Sequence, residues 1–176
     1  MHTTLIAAQS LDGFITRHDQ PGTAFTSAAD QAHFSAELAG YDCSVVGAST
    51  YRFARDFIRA RVRPGRRRMV LTRSPEKWTE DVIPGLLEFT DATPESLAAR
   101  LAEAGCRRCA LLGGAQIHRL YFEAGLVDEL VITIEPRLFA SGTPIVPGKV
   151  DIALELLSVI RLPHSDSLVV RYVVKK

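Results

Sequence analysis

The sequence lacks the long apolar runs and the leader features of membrane and exported proteins. None of its apolar stretches approaches the roughly 20 residues that a helix needs to span a bilayer. Residues 1–8 have neither the basic start nor the long apolar stretch of a signal peptide, and they are typical of a buried strand instead. We therefore expect a cytoplasmic protein that makes no contact with a membrane.

Cysteine is also scarce, with only Cys43, Cys106 and Cys109 in the chain. An odd number of cysteines in a chain long enough to bury a core argues against a disulfide framework. Cys106 and Cys109 have the C-x-x-C spacing, but they follow a predicted helix and enter a strand, which reverses the thioredoxin-type order. A zinc site needs about four ligands, and there is no second pair. We expect packing thiols and no metal site.

The chain has no excess of either charge, since 21 Lys and Arg residues are balanced by 20 Asp and Glu. Such a balance does not call for a nucleic-acid partner. Nine arginines are nevertheless crowded into one segment: Arg52, Arg55, Arg59, Arg61, Arg63, Arg66, Arg67, Arg68 and Arg73. A face for an anionic cofactor, a nucleic-acid patch and an ordinary solvated surface are the alternatives. The nearby Tyr51, Phe53 and Phe57 fit the spacing of a helical core better than base stacking.

The two common nucleotide-binding fingerprints, G-x-G-x-x-G and the P-loop, are missing as well. What is present is an alternation of short apolar strands with helices, and no linker divides the chain, so we expect one domain over residues 1–176. Predicted strands cover 4–9, 42–47, 68–72, 86–90, 109–112 and 127–134, with a short extended stretch at 13–16; predicted helices cover 28–39, 48–57, 94–104 and 115–124.

The last part of the chain has a different pattern. Residues 153–162 and 167–174 predict two strands joined by a turn, which is a terminal antiparallel hairpin. The alternation before it predicts a mostly parallel sheet, because strands joined through helices run in the same direction. We therefore expect an α/β fold with a mostly parallel central sheet flanked by helices and a C-terminal antiparallel hairpin.

In such a sheet ligands bind at the carboxyl ends of the strands, and three strand-to-helix junctions carry suitable residues. At the first, Gly47 ends a strand, and Ser49 and the hydroxyl of Thr50 lie in the first turn of a helix. Free amides at a helix start, helped by the helix dipole, can hold a phosphate. Simple helix capping is the alternative explanation.

The other two junctions offer different groups. The second consists of Leu71, Thr72, Arg73 and Ser74, where the guanidinium and the two hydroxyls suit a phosphate. At the third, Gly113 and Gly114 leave no Cβ, so the backbone can approach a pyrophosphate closely. A helix then begins with Ala115, Gln116 and Ile117. Each junction alone would be explained by helix capping or by a turn, but three in one sheet predict a phosphate-bearing cofactor.

Five stretches of the sequence occur together in one known family. They are 8–15 (AQSLDGFI), 46–51 (VGASTY), 71–74 (LTRS), 112–117 (LGGAQI) and 124–130 (AGLVDEL), the last continuing through 134–136 (IEP) to 142–144 (GTP). In this order they resemble the dihydrofolate reductase superfamily, specifically the reductase (C-terminal) domain of bifunctional riboflavin-biosynthesis proteins and its stand-alone bacterial relatives. The resemblance implies a dihydrofolate-reductase-like fold, an NADPH-dependent reductase and a homodimer.

The resemblance also implies roles for particular residues. The turn from Gly47 through Ser49 to Thr50 would lie near the cofactor phosphates. Leu71, Thr72, Arg73 and Ser74 would meet the adenosine side of the cofactor, with its 2′-phosphate. Gly113, Gly114, Ala115, Gln116 and Ile117 would hold the pyrophosphate and the nicotinamide ribose. Asp12, followed by Gly13, would sit by the nicotinamide and the substrate, which makes Asp12 the candidate catalytic residue.

Two departures from the family pattern bear on the substrate. The riboflavin-pathway reductases carry an acid immediately before the glycine pair, where this chain has Leu112, and they tend to carry an aspartate where it has Ala54. A dihydrofolate reductase has a carboxylate in its first long helix that protonates the pterin. Asp30 and Glu37 lie in that region, although Asp30 also fits a capping box that begins at Ser27.

The sequence therefore predicts hydride transfer from NADPH to a small heterocyclic substrate of the pterin or ribosylaminouracil-phosphate type. A non-catalytic protein that binds a dinucleotide or a flavin-like cofactor on the same fold is the alternative. A nucleic-acid-binding module that uses the arginine segment ranks last, because the chain is nearly neutral.

Overall fold

The computed structural model describes residues 1–176, which form one eight-stranded sheet and four α-helices. The strands are β1 (His2–Ser10), β2 (Cys43–Gly47), β3 (Arg67–Leu71), β4 (Leu87–Thr90), β5 (Arg108–Gly113), β6 (Glu129–Glu135), β7 (Leu154–Arg161) and β8 (Leu168–Val174). The helices are α1 (Ala28–Leu38), α2 (Ala48–Arg59), α3 (Pro94–Glu103) and α4 (Ala115–Glu123). A 3₁₀ helix covers Pro75–Asp81.

The strands lie in the order β4-β3-β2-β5-β1-β6-β8-β7. All neighbours from β4 to β6 are parallel, whereas β8 is antiparallel to both β6 and β7. The predicted mostly parallel sheet with a C-terminal antiparallel hairpin is therefore confirmed. Because parallel strands end at the same edge, the junctions that follow β3, β2 and β5 are neighbours in space.

The core lies on both faces of this sheet. Leu5 and Ile6 are adjacent in β1 and therefore point to opposite faces. Leu5 packs in the larger cluster, with residues of α3 and α4 such as Leu97 and Tyr121, and Ile6 belongs to a smaller cluster against which Phe34 of α1 packs. Both faces are thus covered by helices, as the alternation of strands and helices predicts.

Side-chain caps begin two of the helices. The hydroxyl of Ser27 accepts a hydrogen bond from the amide of Asp30 at 3.1 Å, and Thr93 caps α3 by accepting from Ser96 at 3.3 Å. Each cap satisfies one of the amides that a helix start leaves without a partner. The N-cap that the capping box predicts at Ser27 is confirmed.

The three thiols are free and buried, which agrees with the packing interpretation. Cys43 and Cys109 are register partners on β2 and β5 and lie in the larger core cluster. Burial raises the pKa of Cys106 to about 11, and the hydrogen bond to Cys109 raises the pKa of Cys43 above its usual range. Cys43 and Cys106 are therefore protonated packing groups at neutral pH.

Two of the aromatic residues on α2 do not join the core. Tyr51, Ala54 and Ile58 follow the helical spacing of three and four residues and face the sheet side, where Tyr51 is fully buried. Phe53 and Phe57 lie two and six positions after Tyr51, on the opposite side, and are 58% and 50% exposed. The core assignment of Phe53 and Phe57 was therefore wrong, because their spacing from Tyr51 places them on the outer face.

Two loop segments also differ from expectation. The stretch 13–16 is not a strand of the sheet but a turn region with a single bridge between Phe14 and Pro144. The 3₁₀ helix over Pro75–Asp81 was not predicted. It begins at a proline and buries its final residue, Asp81, beneath α2, so it is held by long-range contacts rather than by a helical pattern in its own sequence.

Candidate active site

The three predicted phosphate junctions meet at the carboxyl edge of the sheet. Gly47, at the end of β2, is in register with Leu71 at the end of β3, and Val46 is in register with Gly113 of β5. A Cβ added at Gly47 would lie 2.8 Å from Cγ1 of Ile117. The fold therefore brings the β2 and β5 junctions into contact and places the β3 junction beside them.

Two helices begin at this edge without side-chain caps. Gly47 is the N-cap of α2 and Gly114 is the N-cap of α4, and neither has a side chain that could accept a hydrogen bond. A Cβ at Gly114 would lie 3.2 Å from Oγ1 of Thr50, so the starts of the two helices are close together. First-turn amides left without a side-chain partner favour an anion.

The glycine pair is held against a buried histidine. Gly113 has φ of +90° and is joined to Gly114 by a cis peptide bond. Nδ1 of His118 lies 2.7 Å from the carbonyl oxygen of Ile145, while Nε2 is buried without a partner and faces Gly113. Burial lowers the pKa of His118 to about 4, against the opposing effect of the bond to Ile145, so the ring is neutral at physiological pH. His118 is thus a packing group under the turn.

The β3 junction is a preformed turn with a free cation. The amide of Thr72 donates to the carbonyl of Thr90 at 2.9 Å, and Oγ1 of Thr72 accepts from the amide of Ser74 at 3.2 Å. Arg73, which lies between them in the sequence, is exposed. Its guanidinium has no ion pair within the chain and can therefore meet a ligand phosphate.

Most of the other arginines in this segment contact other residues of the chain. The buried carboxylate of Asp81 accepts hydrogen bonds from Arg55, from Arg59 at 3.0 Å and from the hydroxyl of Tyr51 at 3.1 Å. The hydrogen bond from Arg55 is the largest effect that lowers the pKa of Asp81. These contacts fasten α2 to the 3₁₀ helix, so the arginine segment is largely structural. Asp81 is a structural residue that sequence reasoning missed, because its partners lie 22 to 30 residues away.

An aromatic cluster supports the same region. Trp78 stacks on Phe89 with ring centroids 5.4 Å apart, and both contact the ring of Tyr51 edge-on. Trp78 is therefore a packing anchor of this region. Arg61 lies over the ring of Phe57 at 3.5 Å, which accounts for another arginine of the segment.

The carboxylate of Asp12 holds two loops together through hydrogen bonds. It accepts a hydrogen bond from the hydroxyl of Ser10 at 2.6 Å and from the amides of Phe139 and Ala140 at 3.2 and 2.7 Å. The hydrogen bond from Ser10 is the main cause that lowers the pKa of Asp12. Asp12 is thus an anion that ties the loop after β1 to the loop after β6. A direct catalytic role for it stays a prediction.

The two acid candidates on α1 have different surroundings. Glu37 accepts from the hydroxyl of Tyr41 at 3.1 Å and forms an ion pair with Arg171 at 2.8 Å. Asp30 is only 7% exposed, and burial raises its pKa, although hydrogen bonding to Thr133 acts in the opposite direction. The environment of Asp30 therefore favours its protonated form.

Asp30 also lies at the same edge as the phosphate junctions. The amide of Ser27, which precedes α1, donates to the side chain of Glu135 at the end of β6 at 2.8 Å. The turn of helix that carries Asp30 is therefore fixed at the carboxyl end of β6, next to β1.

No group of three or more His, Cys, Asp or Glu side chains that could hold a metal ion occurs in residues 1–176. None of the helices combines the length and the apolar character that crossing a membrane requires.

Solved structures share this fold over the whole chain. A pyrimidine reductase-like protein from Corynebacterium diphtheriae is 19% identical, with a TM-score of 0.78 over 99% of this chain and 92% of that one. Dihydrofolate reductase from Enterococcus faecalis, complexed with NADP(H) and RAB-propyl, is 18% identical, with a TM-score of 0.68 over 99% of this chain and 97% of that one. At these identities the likeness shows the fold alone, and it confirms the expected dihydrofolate-reductase-like architecture.

A bifunctional enzyme contains the same unit. The diaminohydroxyphosphoribosylaminopyrimidine deaminase/5-amino-6-(5-phosphoribosylamino)uracil reductase from Thermotoga maritima is 18% identical, with a TM-score of 0.75. The match covers 99% of this chain but 56% of that protein. No curated protein matches the sequence. The model of the RibD C-terminal domain matches residues 2–165, and the chain therefore belongs to the RibD C-terminal domain family.

Proposed function

We propose that this protein is an NADPH-dependent reductase that transfers a hydride to a C=N bond of a small heterocyclic substrate. The observation that carries the proposal is a single sheet edge where two helix starts without side-chain caps, a free arginine and a buried carboxyl with a raised pKa occur together. The first three features suit a dinucleotide with its phosphates, and the last suits a substrate that must gain a proton.

The residues at this edge fit NADPH. Gly47 and Gly114 are the N-caps of α2 and α4 and leave the first-turn amides without a side-chain partner, so a pyrophosphate can bind there. Gly113 is buried and lets the turn pack against His118. In this proposal Ser49, Ala115, Gln116 and the turn at Leu71, Thr72 and Ser74 complete the cofactor groove. Arg73 contacts the 2′-phosphate. NADPH, when bound, supplies the hydride.

Asp30 is the proton donor in this proposal. Addition of a hydride to a C=N carbon leaves charge on the nitrogen, and a carboxyl that holds its proton near neutral pH can neutralise it. Burial raises the pKa of Asp30, which favours the protonated carboxyl in the free protein. A pterin-type ring presents such a nitrogen. The half-buried Leu112 and Ala54 stand where riboflavin-pathway reductases carry acids, which further supports a pterin-type substrate.

Cofactor titration and turnover test the proposal. We expect NADPH to bind saturably below millimolar concentration, as measured by the change in protein fluorescence. We also expect NADPH absorbance to fall when a dihydropterin is added, but not when a ribosylaminouracil phosphate is added. Binding without turnover of either substrate would select the non-catalytic alternative. Absence of binding would overturn the proposal. The nucleic-acid module has little support, because Arg55 and Arg59 are paired with Asp81.

We also propose that the protein is a cytoplasmic homodimer. The three free thiols support a reducing compartment. Every residue of the edge strand β7 is exposed. On one face of β7, the aliphatic side chains of Leu154, Leu156 and Val159 continue the larger core cluster without a cover from the chain. An exposed apolar edge strand is an association hazard for a monomer, and a second copy would cover it.

A further inference from the structure

A second buried carboxyl lies behind Asp30. Glu135, the last residue of β6, is 2% exposed and occurs two positions after Thr133, so the two side chains point to the same face of the sheet. That face carries α1, because Phe34 packs against the cluster that contains Val131 of β6. The amide of Asp30 donates to the hydroxyl of Ser27, and the amide of Ser27 donates to Glu135. Two acidic side chains from different elements are therefore buried close together at the proposed site.

Glu135 accepts hydrogen bonds and donates none. Its Oε1 accepts from the amide of Ser27 at 2.8 Å and from the hydroxyl of Ser27 at 3.0 Å, and its Oε2 accepts from the hydroxyl of Ser167 at 2.7 Å. An ionised carboxylate is an acceptor only, so this is the bonding of an anion. No lysine or arginine pairs with it, and its charge is left uncompensated by a cation.

The same contacts link Glu135 to the position of Asp30. Ser27 is the N-cap of α1, and its hydroxyl accepts a hydrogen bond from the amide of Asp30 at 3.1 Å while donating to Glu135. Glu135 therefore fixes the residue from which the first turn of α1 starts. The geometry gives Glu135 two effects on Asp30, one through the backbone of this turn and one through its charge.

We propose that Glu135 is a positioning residue of the reductase site, whose bonds to the amide and hydroxyl of Ser27 hold the first turn of α1, and with it Asp30, at the carboxyl end of β6, and whose buried negative charge acts on the neighbouring Asp30 carboxyl. This inference rests on the proposed function, in which Asp30 donates the proton. Two carboxylates in one buried site cannot both ionise without repulsion, and the better-solvated or better-bonded group holds the charge. Here the bonded group is Glu135.

The charged groups around Asp30 set the sign of the effect. Burial and repulsion by Glu135 on β6 raise the pKa of Asp30, whereas hydrogen bonding to Thr133 and Thr26 and attraction by His33, one turn further along α1, lower it. Removal of the Glu135 charge must therefore lower the pKa of Asp30. A residue that only capped α1 would have no such electrostatic effect.

Glu135→Gln separates charge from structure. The amide oxygen of glutamine can still accept from the amide and hydroxyl of Ser27, and its NH₂ group can donate to Oγ of Ser167, which also accepts from Ser165 at 2.8 Å. The variant thus keeps the hydrogen-bond partners and loses the charge. Glu37→Gln is the matched control. It removes a carboxylate from α1, the helix that carries Asp30, but at a position where the carboxylate pairs with Arg171.

The experiment measures the Asp30 carboxyl directly. The full-length protein is labelled with ¹³C at the aspartate carboxyl carbons, the Asp30 signal is assigned with Asp30→Asn, and its titration is followed by NMR. We expect a lower pKa for Asp30 in Glu135→Gln and no change in Glu37→Gln. An unchanged Asp30 titration in a folded Glu135→Gln variant would overturn the inference.

Turnover gives the second readout. In Glu135→Gln the alkaline limb of the pH–rate profile should move to lower pH, so that the rate above the Asp30 pKa falls about 3- to 10-fold while the acidic plateau is kept. If the NMR titration shows a lower Asp30 pKa in Glu135→Gln, but neither the parent protein nor the variant oxidises NADPH, the proposed function fails and the effect of Glu135 on Asp30 stands. If turnover occurs and the profile and the NMR titration are both unchanged, the role of Glu135 fails alone.

A measurement on the unmodified protein covers the case in which Glu135→Gln does not fold. With ¹³C at the glutamate carboxyl carbons, the Glu135 signal should remain that of a carboxylate over the pH range in which Asp30 takes up its proton. Uptake of the first proton by Glu135 rather than by Asp30 would reverse the proposed roles of the two carboxyls and overturn the inference.

Discussion

A Cβ atom at Gly113 would lie 2.7 Å from Nε2 of the buried His118, closer than real Cβ atoms approach another heavy atom. The backbone of Gly113 has φ of +90°, a conformation that residues other than glycine rarely adopt. For Gly113→Ala we therefore expect two costs, backbone strain and displacement of the imidazole, with a total loss of stability of about 2–4 kcal/mol. Urea unfolding measures the loss, and NADPH titration should show weaker binding.

The control for this prediction is Gly105→Ala. Gly105 also has a positive φ, of +86°, but no heavy atom lies within 4 Å of its added Cβ. Only backbone strain applies there, about 1 kcal/mol. Similar stability losses at Gly105 and Gly113, or unchanged NADPH binding in Gly113→Ala, would contradict the role given to the packed glycine turn.

The parts of the site that could be predicted from sequence are local. Gly47 and Gly113 follow apolar runs and precede helices, so strand, turn and helix start can all be read within a few residues. Asp81 could not be found in this way, because its value as a buried partner depends on arginines 22 and 26 residues earlier. Nothing in the sequence around Asp81 distinguishes it from a surface acid.

The choice between Asp30 and Glu37 shows the same limit. Both residues lie on the predicted first helix, and their difference arises from tertiary contacts, an arginine from β8 beside Glu37 and burial against β6 for Asp30. The hydrophobic pattern could predict the helix and its cap. It could not predict which acid would lose its contact with water.

Asp30→Asn should lower activity and raise stability. Loss of the proton donor should reduce kcat with a pterin-type substrate by about 100-fold or more. Because the pKa of Asp30 is raised in the folded protein, its stabilising contribution is complete below the unfolded-state pKa and is lost as the pH rises through the folded-state pKa. At pH 7 the variant should therefore be more stable by on the order of 1 kcal/mol, and the gain should shrink in acid.

Glu37→Gln provides the comparison for Asp30→Asn. It removes the ion pair with Arg171, so it should lower stability slightly and leave kcat within about 2-fold of the parent value. Steady-state kinetics and thermal unfolding at several pH values measure both variants. A loss of turnover in Glu37→Gln that equals the loss in Asp30→Asn would count against Asp30 as the donor.

Arg73→Ala should separate NADPH from NADH. The guanidinium is exposed and unpaired, so its removal costs no internal contact. Loss of a charged hydrogen bond to the 2′-phosphate should weaken NADPH binding by about 10- to 100-fold, with NADH binding little changed. Arg63→Ala, another exposed arginine of the segment, controls for the general positive field. Equal weakening for both cofactors would show that Arg73 does not contact the 2′-phosphate.

Asp81→Asn should destabilise the protein without altering cofactor preference. The carboxylate is buried and accepts from Arg55, Arg59 and Tyr51, and a buried charge network that loses its acid typically costs about 2–4 kcal/mol. The pKa of Asp81 is lowered in the folded protein, so its stabilisation is present above the unfolded-state pKa and is lost as the pH falls through the folded-state pKa. The difference in unfolding free energy between the parent protein and Asp81→Asn should be largest at pH 7 and should shrink in acid. A difference that stays constant with pH would exclude the charge of Asp81 as its cause.

Leu156→Asp tests the uncovered face of β7. In register, Leu156 lies beside Tyr172 of β8, on the face of the larger core cluster, and it is 53% exposed. If a second copy covers this face, burial of a carboxylate in the interface should shift the protein from dimer to monomer, because an unpaired buried charge is costly. Sedimentation velocity over a range of concentrations measures the change.

Ile160→Asp is the matched control for the β7 prediction, because it introduces the same charge on the opposite face. Ile160 is 49% exposed and lies beside Val169, which belongs to the smaller cluster. Its substitution should leave the dimer intact if the interface is the Leu154, Leu156 and Val159 face. Dissociation by both variants would instead indicate edge-to-edge pairing of β7, in which both faces of the strand meet the partner. A parent protein that sediments as a monomer at all concentrations would remove the basis for a homodimer.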